Sequence, residues 1–203
     1  MIQYFLERPY LIAILAAVAL LTLFVCFKAA QASAKRTKGN EALIRKMKEE
    51  TELCNEFAIL TETLAEKSDA DRLFKGVALN LQKRIHHADD MEAEFAKLTQ
   101  EQREIYALSF VIEDGGENLS SFFKTNGQPL TGEALNAVKR LFDGRVSEIF
   151  ETEYDAFDPE NETQSMIPDE IAKLDSEFTS LVAEKEICIA AGNFMKENIE
   201  KFM

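Results

Sequence analysis

No tryptophan occurs in this 203-residue chain, and histidine (2), cysteine (3), proline (4) and glycine (8) are all scarce. So few turn formers argue against the many short strands of a sandwich or barrel and favour helices. The cysteines, Cys26, Cys54 and Cys188, have no paired spacing, which speaks against a disulfide framework and fits a reducing compartment. His86 and His87 are adjacent and would point about 100° apart on a helix, with no third histidine or cysteine nearby, so they do not make a metal site. Their expected role is to stabilise a helix C-terminus.

Motifs for chemistry are missing too. Gly115-Gly116 lacks both the Gly-Lys-Ser/Thr ending and the preceding strand of a phosphate loop. No serine elbow and no usefully spaced Cys/His pair can be named. Asp158-x-Glu160-x-Glu162 with Asp169 at the twelfth position only faintly resembles a calcium loop, because Thr163 replaces the turn glycine. Asn118-Leu119-Ser120 and Asn161-Glu162-Thr163 match glycosylation acceptors, relevant only to a domain outside the cell. No catalytic residue, metal ligand or cofactor is implied, and the expected function is non-enzymatic, with an enzyme of unrecognised type, motivated only by the plentiful carboxylates, as the last alternative.

What is present begins with Tyr10–Phe27, eighteen uncharged residues with Thr22 as the one polar member. As a helix it would reach roughly 27 Å at about 1.5 Å per residue, close to the roughly 30 Å hydrocarbon core of a bilayer. We expect a single transmembrane helix at 10–27 and a short extracytoplasmic N-terminus at 1–9. Ala30-Gln31-Ala32 and Ala32-Ser33-Ala34 offer signal-peptide cleavage sites, but the apolar run is longer than usual and basic residues follow at once. Seven Lys/Arg downstream against Arg8 upstream orient the C-terminal side towards the cytoplasm.

Charge is sharply segregated. Between residues 28 and 48 stand Lys28, Lys35, Arg36, Lys38, Arg45, Lys46 and Lys48 against Glu41 alone, a basic neck of +6. Glu7 and Arg8 cancel, so with −13 overall, residues 49–203 carry −19. Lys28, Lys35, Arg36 and Lys38 are the expected contacts to anionic lipid headgroups. An acidic body repels phosphates, which argues against nucleic acid as a direct partner.

The soluble part reads as all-α. Apolar residues at helical spacing predict one helix over 41–65 and another through Leu73, Phe74, Val77, Leu81 and Ile85, capped by Ser68 or Asp69. The first could cover the domain core or form a coiled-coil stalk; its heptads are not sustained. Together these make a region of amphipathic helices at 49–98. Thr99-Gln100-Glu101-Gln102 is a capping box opening a helix that should stop at Gly115-Gly116 by left-handed glycine. Further helices are expected through Ala134–Phe142, Val146–Tyr154, Ile171–Leu181 and Ile187–Phe202. From Val146 to Ala172 there is no Lys or Arg, and Glu148, Glu151, Glu153, Asp155, Asp158, Glu160 and Glu162 form an acidic strip. The strip either keeps the domain soluble or receives a basic protein.

Gly115-Gly116 after a helix, the pair Phe122-Phe123 with Asn126, Gly144 closing a helix, and Leu174-Asp175-Ser176-Glu177-Phe178 before a terminal helix Phe194–Phe202 occur in that order. In these motifs residues 99–203 resemble a mostly uncharacterised all-α bacterial family whose best-known member is an acidic DNA mimic that binds a transcription repressor. Glu117 departs from the aromatic usual after Gly-Gly. The resemblance implies an all-α fold, and a regulator that sequesters a basic DNA-binding protein at the membrane as an alternative to a general interaction module.

Overall fold

The computed structural model describes residues 28, 40–116, 118–157 and 167–203. These divide into two compact units, Met1–Glu49 and Glu50–Met203. In the first, Lys28 and residues 40–49 are helical, with Leu43 and Ile44 58% and 53% exposed and Arg45 Nε 3.9 Å from Glu49 one turn later. The expected membrane helix at 10–27 lies outside the described residues, as do Lys35, Arg36 and Lys38; Lys28 is described and exposed. Among the described residues no helix is long and apolar enough to cross a membrane.

The second unit is all-α, with no strand among its described residues. Its helices are α1 (residues 50–56), α2 (Glu62–Lys67), α3 (Ala70–His86), α4 (Met91–Ala96) and α5 (Gln100–Gly115). There follow α6 (Leu119–Thr125), α7 (Leu130–Leu141), α8 (Arg145–Ala156), α9 (Pro168–Leu181) and α10 (Glu184–Glu197), and the 3-10 turn Ile199–Lys201. The single helix expected over 41–65 is broken: residues 57–61 leave the helix and Phe57 turns into the core, 3% exposed. Thr61 then caps α2 by accepting from Leu64 N at 3.2 Å.

The local signals elsewhere act as their chemistry requires. The Thr99 hydroxyl accepts from Gln102 N at 3.1 Å while the Gln102 amide oxygen accepts from Thr99 N at 3.2 Å, closing the capping box of α5. His87 Nδ1 donates to Lys83 O at 2.7 Å at the end of α3, the terminal role foreseen for that pair. Gly144 alone among the described glycines has positive φ, +64°, and starts α8 after a sharp turn. The double glycine works differently from expectation. Gly116 has φ −53°, an ordinary right-handed value, so no left-handed cap forms. Gly115 is buried, and a Cβ there would lie 3.3 Å from Phe122 Cβ, so the small residue admits α6 against α5.

Each helix buries one stripe. α10 lies along α3 so closely that a Cβ on Gly192 would sit 1.9 Å from the Ala70 carbonyl oxygen. α5 packs on α7, α6 and α3, and α8 bridges α7, α6 and α9. The α6–α8–α9 layer is aromatic: Phe150 has ring centroids 6.1, 5.0 and 6.2 Å from Phe122, Phe123 and Phe178, and Phe157 stacks on Phe123 at 5.8 Å. Burying such rings is the main stabilising contribution here.

Candidate functional site

The acidic strip does not survive as one surface. Glu148, Glu151 and Asp155 follow the helical repeat along the exposed face of α8. Glu148 is paired with Arg145 at 3.4 Å within the helix, and Glu151 with Lys139 of α7. Glu153 is instead fully buried, 0% exposed, and so has no place in a partner-binding surface. It lies three and four residues after Phe150 and Ile149, both at 0% exposure, and shares their stripe into the core. Asp158, Glu160 and Glu162 lie outside the described residues.

Glu153 belongs to a polar cluster inside the aromatic layer. Asp175, 6% exposed on α9, accepts from Ser120 N at 2.7 Å and from the Ser120 hydroxyl at 2.8 Å. It thereby satisfies the start of α6, where the Asn118 side chain makes no capping bond. Lys124 donates to the Ser120 hydroxyl oxygen at 3.1 Å and lies 5.6 Å from the centre of the Phe157 ring. Both Glu153 oxygens are without a hydrogen-bond partner. Burial, reinforced by the Asp175 carboxylate and opposed by the Lys124 ammonium, pushes the Glu153 carboxyl up to about 8. It is therefore protonated at neutral pH.

Further buried charge is structural. Glu104, 1% exposed on α5, accepts from Arg140 of α7 at 2.9 Å and from Gln100 at 3.2 Å, and Arg140 lies over the Phe194 ring at 5.4 Å. Cys188 is buried, and burial pushes its thiol up to about 11, which keeps it a protonated apolar filler. The Cys54 thiol donates to Asn80 Oδ1 at 3.1 Å; Cys26 lies outside the described residues. Among the described residues no group of His, Cys, Asp or Glu could hold a metal ion. Of the faint calcium loop, only Asp169 is described, exposed in the first turn of α9.

An open apolar concavity lies elsewhere, between the end of α3, α4 and the start of α7. It measures about 520 Å³ and is lined by Ile85, Met91, Phe95, Tyr106, Pro129 and Leu130, with His86 and Glu92 adding polar groups. The cis Gln128–Pro129 bond lies beside it, just before α7. Tyr106 is held between Phe95 and Phe110, at 5.5 and 5.0 Å, and burial raises its phenol above the usual range, so it stays a neutral donor. Met91 is 55% exposed on the wall. The short α4 that carries this wall is fixed by Asp90, which accepts from Ala93 N, and by Glu94, which binds Arg84 at 2.6 Å and Lys97 at 2.8 Å. Sequence reasoning missed the groove, since its apolar residues, Ala96 among them, come from four separate segments. The one available signal was Met91 and Phe95, an i, i+4 apolar pair in which each residue follows an acidic one, Asp90 and Glu94. Comparison with protein-family models, with curated proteins and with solved structures found no match in any of the three.

Proposed function

We propose that this protein is a membrane-anchored, non-enzymatic interaction module. Residues 10–27 span the bilayer once, and Lys28, Lys35, Arg36 and Lys38 rest on anionic headgroups. The acidic helical domain stands in the cytoplasm and receives a basic protein. The observation that carries this reading is the open apolar groove of about 520 Å³ on a domain of formal charge −19. The field of such a domain draws in basic partners, and an apolar cleft with an exposed methionine gives them an anchor. In support, the two groups whose proton binding is shifted most by burial, Glu153 and Cys188, are both 0% exposed and unsuited to meeting a substrate.

The test uses the full chain in nanodiscs containing anionic lipid, incubated with cytosol from the same source. A retained basic protein should be released by salt and lost when Met91 and Ala96, both exposed, become Glu. Retention unchanged by both treatments, or no retained protein, would sink the reading.

A second reading, a DNA-mimic-like regulator, draws on the residues of the family resemblance. Gly115, Phe122, Asp175 and Phe178 are all buried, and Asp175 binds the start of the helix that carries Phe122. The carboxylates that α8 offers to such a role are Glu148, Glu151 and Asp155, two of them already paired. If this reading holds, free DNA should compete with the protein for the retained partner.

A further inference from the structure

The aromatic layer of α6, α8 and α9 holds a group that its packing does not need. Glu153 is 0% exposed with both carboxylate oxygens unpartnered, although an ionised carboxylate in such a place is far costlier than a neutral one. Among the described residues the charged groups that face it are few. From α9 comes Asp175, an anion already engaged with Ser120; from α6 comes Lys124, bound to the same serine hydroxyl. α7 also packs on α8, but its charged Glu133, Lys139 and Arg140 are turned to Arg103, Glu151 and Glu104. An ionised Glu153 would thus meet one carboxylate and one cation with another partner.

We propose that Glu153 is a proton-operated latch: protonated, it lets α8 seat against α6 and α9, and its ionisation lifts α8 and opens the layer. The sign follows from proton counting. In the closed layer the group holds its proton up to about 8, whereas in water it returns to the ordinary carboxyl value of 4.5. The closed form therefore binds more protons than the open form throughout that window. Below it both forms are protonated and the latch is fully shut. Through it, opening grows with pH by up to about tenfold per unit, and above about 8 it levels off. The latch needs no partner in the groove and is separate from the proposed interaction.

The test is hydrogen exchange of the full chain in nanodiscs between about pH 5.5 and 9.5, with intrinsic exchange rates divided out. Opening of peptides from α8 and α6 should rise with pH and level off near 8, while α3 changes little. Glu153→Gln, which has no proton to lose, should flatten the profile. Lys124→Met, which removes the cation that favours ionisation, should move the levelling point to higher pH. A wild-type α8 profile that does not change with pH overturns the latch. So does a Gln variant that keeps the wild-type slope, or α3 opening in step with α8. Should the Gln variant not fold, an unmoved levelling point in Lys124→Met overturns it instead.

Discussion

Replacing Gly192 with alanine sets two opposed effects against each other where α10 packs against the start of α3. In a helix interior, alanine is favoured over glycine by about 1 kcal/mol. At Gly192 the added Cβ would lie 1.9 Å from Ala70 O, 2.4 Å from its carbonyl carbon and 2.8 Å from its Cα. These are backbone atoms at the first residue of α3 and cannot rotate away. Restoring ordinary contact near 3.4 Å needs a shift of about 1.5 Å between α3 and α10, which opens gaps beside Leu73, Phe74, Cys188 and Met195. Overpacking of this kind costs about 1–3 kcal/mol, and the rigid partner puts this case at the upper end. The expected net loss is about 2 kcal/mol. Gly132→Ala is the control: its Cβ would meet the amide oxygen of Gln128 at 2.9 Å, and that exposed side chain can move. The control should gain up to about 1 kcal/mol. Urea unfolding of residues 50–203, followed by far-ultraviolet circular dichroism, gives both differences from midpoints at constant slope. A Gly192→Ala variant as stable as the parent would refute the close contact of α3 and α10.

Three other outcomes are expected. Phe150→Ala should cost about 3–5 kcal/mol in the same assay, since the ring is fully buried and touches three other phenylalanines. Arg140→Ala leaves Glu104 buried without its cation and should cost about 3 kcal/mol, while Glu104→Gln with Arg140→Ala should recover part of that loss; equal losses in both would show that the pair is uncoupled. Protease added to intact cells should leave residues 50–203 whole, as the basic asymmetry around 10–27 requires; their digestion would reverse the topology.

The cores of α3, α5, α7, α8, α9 and α10 were legible because each repeats apolar residues at three and four, and Thr99 announced α5 through its capping box. The break at Phe57 was not. The apolar repeat of the preceding helix continues through Phe57 and Ala58, and the aromatic leaves it because Gly76 on α3 offers room for its ring: a Cβ there would be 2.1 Å from Phe57 Cδ2. Asp175 was legible as part of a motif but not as a cap. The helix start it serves lies 55 residues earlier, and no local pattern encodes that distance. Glu153 was misplaced by its residue type. Its position beside Ile149 and Phe150 marked it as inward-facing, yet a carboxyl is ordinarily solvated, and only the packed layer shows which rule prevails.

Charge scarcity ties these features together. Residues 49–203 contain 15 Lys and Arg against 34 Asp and Glu, so cations are the limiting partner. Among the described residues, seven of those cations join separate helices. Arg72 ties α3 to Glu56, Lys75 ties it to Glu184 and Arg84 to Glu94. Arg103 and Arg140 join α5 to α7, Lys139 joins α7 to α8, and Arg145 joins α8 to Glu177 on α9. Apart from Arg140 on the buried Glu104 and the largely covered Arg103–Glu133, these are exposed or half-exposed pairs that contribute about 0–1 kcal/mol each, so their main effect is to hold the register of neighbouring helices against mutual repulsion. Most carboxylates therefore remain as a diffuse field, which suits steering a basic partner better than gripping it. On the proposed function, a lasting grip would come from apolar contact in the groove beside α4. The same scarcity explains Glu153. With Arg145 and Lys139 committed across the outside of α8, and Lys124 held on Ser120, no unengaged cation among the described residues faces the inner carboxyl, and a proton serves in its place.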